Sequence, residues 1–91
     1  MSEQLTLAWG LVQWARCSGA FTDDFAMAAL IDAEVELEGL LDHAATGSVV
    51  VPASLDGVAA ARWALELVAA EPGVPAAVHG WLRSALETAA S

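Results

Sequence analysis

Residues 23–45 read DDFAMAALIDAEVELEGLLDHAA, and the spacing within them decides the fold class. Ala26, Leu30, Ala33, Leu37, Leu40, Leu41 and Ala44 recur at intervals that place them along one side of an α-helix. Thr22 or Asp23 offers an N-cap, and Asp24 suits the positive end of the helix dipole. The remaining surface is acidic, with Asp32, Glu34, Glu36, Glu38 and Asp42. Met27, Ile31 and Val35 interrupt it as a minor apolar stripe. At about 1.5 Å per residue such a helix spans about 35 Å, long for a small domain.

Working outward, Ser18-Gly19, Thr46-Gly47-Ser48, Pro52-Ala53-Ser54 and Glu71-Pro72-Gly73 punctuate the chain, and Pro75 opens its last segment. They leave helices at 4–17, 23–45, 55–71 and 75–89, with Ser2 and Ser54 as further caps. Val49, Val50 and Val51 favour extended backbone. With no second strand candidate in the chain, they read as an extended connector, the alternatives being pairing with their own copy across a two-fold axis and continuation of the helix. The expected fold is all-α, a single domain over residues 1–91 built as a small bundle of about four helices.

Helix 1 is apolar nearly all round. Leu5, Ala8, Trp9 and Val12 form one stripe and Leu7, Leu11 and Trp14 a second. Trp9 and Trp14 are about 140° apart around the helix, so one small core does not take both. The second stripe is therefore expected to need a further partner. Helix 3 has a polar strip of only Arg62 and Glu66, which reads as a central helix. Helix 4 is amphipathic, with His79, Arg83, Ser84 and Glu87 outward.

Composition narrows the function. Apolar residues make up 57% of the 91 residues and charged residues 16%. Both values exclude intrinsic disorder. A single cysteine, Cys17, excludes a disulfide scaffold. Twelve carboxylates face three arginines (Arg16, Arg62, Arg83) and no lysine, for a net charge of −9. That sign argues against nucleic acid and anionic membranes and favours a basic partner. Uncharged runs are too short to span a membrane, and no Lys or Arg precedes the first apolar run, as a secretory signal requires. With the free thiol, this gives a cytoplasmic expectation. Twenty-one alanines beside no lysine match the coding bias of a GC-rich bacterium.

Catalytic and metal signatures are missing. No C-x-x-C, H-E-x-x-H, G-x-S-x-G or phosphate-binding glycine loop occurs. Asp32, Glu36 and His43 share a side of helix 2 but read as a solvated face. Cys17, near a helix C-terminus, reads as inert. We therefore expect no cofactor, no metal and no enzyme activity. The expected function is an acidic helical interaction module, a regulator or adaptor that forms a homodimer. Leu7, Leu11, Trp14, Met27, Ile31 and Val35 are the expected apolar interface. Glu34, Glu38 and Asp42, with no basic residue beside them on the helix, are the expected docking site for a basic partner. Alternatives are an accessory subunit of a larger enzyme and a small-molecule binder with a Trp-lined pocket between subunits. Sedimentation as a monomer at micromolar concentration would remove the homodimer.

Overall fold

A computed structural model describes residues 3–41, 51–52 and 54–90. Four helices form: α1 (Glu3–Cys17), α2 (Asp24–Leu40), α3 (Gly57–Ala69) and α4 (Ala76–Ala90). The described residues contain no strand, so the all-α expectation holds. Val51 is non-helical, while Val49 and Val50 lie outside the described residues.

Local chemistry sets the helix ends. Asp23 caps α2: its carboxylate accepts from Phe25 N at 2.8 Å and Ala26 N at 3.2 Å. This answers two of the amide groups that a helix start leaves without internal partners. Gly19 takes φ +82°, a conformation that favours glycine, and so turns the chain out of α1. Ser18 braces that turn, donating through Oγ to Ala15 O at 2.7 Å and accepting from Ala20 N at 3.2 Å.

Two expected boundaries are corrected. Helix 2 was expected to reach residue 45, yet α2 stops at Leu40, and Leu41 is extended at φ −99°, ψ 153°. Gly39 weakens the final turn. Glu36 and Glu38 crowd the negative helix end, where the last turn has no basic residue. The cap of α3 is Asp56, not Ser54. The Leu55 carbonyl accepts from Trp14 Nε1 at 2.8 Å, so it does not open the helical ladder. Ala59 N is met instead by the Asp56 carboxylate at 3.3 Å.

Packing follows a square. α1 lies against α2 and α3, α4 lies against the same two, and the diagonals α1–α4 and α2–α3 barely touch. The short connections 18–23 and 70–75 join neighbouring helices. α2 and α3, consecutive in the chain, occupy opposite corners. The core runs through Leu11, Val12, Leu30, Leu37, Val68, Val78 and Leu82, all fully buried. α3 turns small residues inward, Gly57, Ala60, Ala61 and Ala64, which brings its axis close to its neighbours. The most enclosed helix is α1 rather than the expected helix 3, because α2 and α3 cover both its stripes. Trp9 is buried, and its Nε1 has no hydrogen-bond partner among the described residues. Such an unmet donor costs about 1–3 kcal/mol.

Gly57 holds the tightest approach. A Cβ there would collide with the Oγ and Cβ of Ser18 and crowd the Cβ of Ala20. We expect Gly57→Ala to destabilise the fold by about 1–3 kcal/mol in urea unfolding, with part of the loss recovered in the Ser18→Gly background. An unchanged midpoint would show that this contact does not set the α1–α3 spacing. Trp14→Phe keeps an aromatic ring but removes the donor to Leu55 and part of the packed indole surface, and should cost about 1–3 kcal/mol in the same assay.

Candidate functional site

The inward residues of α2 are Ala26, Leu30, Ala33 and Leu37. At about 100° per residue the opposite side is then fixed, and beyond the exposed Asp24 of the first turn it presents Ala28, Ile31, Val35 and Gly39. All four are exposed, Val35 by 60% and Ile31 by 43%. Exposed carboxylates border this ridge, Asp32 and Glu36 on one flank and Glu38 on the other. Phe25 extends the apolar surface at the start of the helix and is 85% exposed. It was not among the expected interface residues, since a single aromatic in a first turn carries no periodic signal.

Glu34 departs from expectation. No base neighbours it along α2, but Arg16 reaches it from α1, with Nε 3.2 Å from Oε2 and 3.4 Å from Oε1, and Nη2 3.2 Å from Oε1. Only 12% of the Glu34 side chain stays accessible. The hydrogen bond to Glu34 first, and its charge second, hold the Arg16 guanidinium above its ordinary value. Glu34 is thus a tie between helices and leaves the docking set. Of the expected acidic site Glu38 remains exposed, and Asp42 lies outside the described residues.

The expected apolar interface divides in two. Leu11 is fully buried within the chain's own core. Leu7 and Trp14 are half-buried and packed against that core, and Trp14 is also bonded to Leu55. α3 supplies what a second chain was expected to supply, because it packs on the side of α1 that α2 leaves free. Met27 is half-buried, while Ile31 and Val35 remain open. On α3, Trp63 is partly exposed. Arg62 and Glu66 share its polar strip, with no ion pair between them among the described residues.

The described residues hold no group of three or more His, Cys, Asp or Glu that could bind a metal ion. His79, expected to face outward, is half-buried; its Nε2 donates to Val68 O at 3.2 Å and ties α4 to α3. His43 lies outside the described residues. Cys17 is a free, exposed thiol. An open depression of about 180 Å³ lies among Phe21, Asp23, Ala26 and Thr88, smaller than ordinary ligand sites, and no tryptophan lines it. No helix among the described residues is long and apolar enough to cross a membrane. Family models, curated proteins and solved structures give no match to this chain.

The Arg16–Glu34 pair is measurable. A double-mutant cycle of Arg16→Ala and Glu34→Ala should give a coupling of about 0.5–1 kcal/mol that shrinks in molar salt. Zero coupling at low salt would return Glu34 to the free acidic surface.

Proposed function

We propose that this protein is a non-catalytic interaction module whose docking surface is the solvent side of α2. The observation that supports the reading is the exposure of Ile31 and Val35 on a helix whose other outward residues are mainly carboxylates. A helix that only needed to stay soluble gains nothing from two β-branched residues there. Because both are already partly covered, burying what remains offers a partner roughly half of the about 1.5–3 kcal/mol that a fully exposed side chain would give, and the carboxylates speed the approach of a basic body. A cytoplasmic setting fits the free thiol of Cys17.

The homodimer loses its first motive, since the second stripe of α1 is covered within the chain. Its remaining route, α2 against α2, sets carboxylate against carboxylate. A heterologous partner is therefore the reading we carry forward, as regulator or adaptor. The accessory-subunit reading has one observation of its own, the partly exposed Trp63 on α3, away from the acidic helix.

Photo-cross-linking separates these readings. A benzoylphenylalanine at Val35, one at Trp63 and a control at exposed Ser84 are compared in cells. An adduct from Val35, lost when Ile31→Asp is added, is the expected result. An adduct from Trp63 alone would move the docking surface to α3, and none beyond the Ser84 control would remove the interaction reading.

A further inference from the structure

The ridge on α2 has the form of one half of a two-helix seam. Ala28 and Val35 are seven residues apart and Ile31 lies between them, the spacing at which one helix meets another over successive turns. From Ala28 to Gly39 the ridge is about 16 Å long, about three turns of a partner helix. Ala28 and Gly39, at its two ends, have too little side chain to hold a partner's backbone away. α2 offers no open ladder of amide groups, so an added strand has nothing to pair with, whereas a helix needs only side-chain contact.

Charge then selects the kind of helix. Asp32 and Glu36 line one flank and Glu38 the other, and α2 contains no basic residue. The cation that does reach α2, Arg16, is held by Glu34. Carboxylates beside an apolar seam occupy the positions where paired helices choose their partners by charge. A second α2 brings more carboxylates to both flanks and is disfavoured. Nucleic acid and anionic lipid carry the wrong sign.

We infer that the partner seated on α2 is an amphipathic helix with a narrow apolar stripe flanked on both sides by lysine or arginine. This inference rests on the docking reading above and names its occupant. The partner's apolar stripe covers Ile31 and Val35. Its long basic side chains lay their methylene stems along the ridge edges and carry their charges to Asp32, Glu36 and Glu38. Both components are required: the seam sets register and the charges set identity.

Three synthetic peptides of equal length test it against the full chain, by fluorescence anisotropy and circular dichroism. One has a leucine seam flanked by lysines, one the same seam flanked by glutamates, and one the lysine peptide's composition scrambled to break the seam. The lysine-seam peptide should bind, gain helicity on binding and weaken as salt rises. Val35→Asp should reduce its affinity at least about tenfold, and Glu36→Lys with Glu38→Lys should do the same, with the protein's own helicity unchanged. Equal binding of the scrambled peptide means that charge alone acts, and equal binding of the glutamate peptide means that apolar contact alone acts; either result overturns the inference. Failure of the lysine-seam peptide while the Val35 cross-linker still traps a partner overturns the basic helix but leaves the interaction module standing. A trapped species of twice the chain mass overturns it in favour of a second copy. Failure of the peptide and of the cross-linker together removes both readings.

Discussion

The hydrogen bond from Trp14 Nε1 to the Leu55 carbonyl, at 2.8 Å, lies where the two halves of the chain meet. It fixes how the backbone arrives at α3. With that carbonyl engaged, α3 begins two residues later under the Asp56 cap, and Gly57 is delivered against Ser18. That approach needs a residue without a side chain. From there the alanines at 60, 61 and 64 close α3 onto the bundle, and α1 becomes enclosed on two sides. The apolar excess on helix 1 is thus resolved within one chain.

Much of this is legible in the sequence, and what is not has a physical reason. Four helices and their breakers follow from short-range periodicity and turn chemistry, which act over a few residues. The Asp23 cap is readable for the same reason. The partner of the second α1 stripe is not readable, because it depends on which corner of the bundle α3 occupies, a long-range outcome that no local spacing encodes. Arg16 and Glu34 are 18 residues apart on different helices, and no spacing rule within one helix joins them. The end of α2 is not readable, because the leucine pattern runs on through Leu41 whereas backbone electrostatics stop the helix first. The exposure of Ile31 and Val35 was legible, since an apolar residue on an otherwise acidic side is a local signal. Phe25 was not, since it belongs to no stripe.

Charge is divided unevenly. The stretch from Asp23 to Asp42 holds seven of the chain's twelve carboxylates: Asp23, Asp24, Asp32, Glu34, Glu36, Glu38 and Asp42. Two serve the fold, Asp23 as a cap and Glu34 as an ion pair. Both are satisfied by groups of the protein itself. Asp32, Glu36 and Glu38 have no comparable structural duty, and they are the ones that border the ridge. The carboxylates that hold the fold and those that stay open to solvent thus share one helix and are separated by burial.

The square arrangement, with α2 and α3 at opposite corners, also bears on how the chain reaches its native state. α1 with α2, and α3 with α4, are local hairpins that short connections can close quickly. The two broadest helix interfaces, α1 on α3 and α2 on α4, both join one hairpin to the other. Neither hairpin buries its apolar residues alone, so the rate should be governed by their docking. The entropy of closing the connecting stretch grows only slowly with its length, by about 0.6 kcal/mol per doubling. The reach of that stretch is therefore a weak control on stability, and the fit of Gly57 against Ser18 at its far end a strong one.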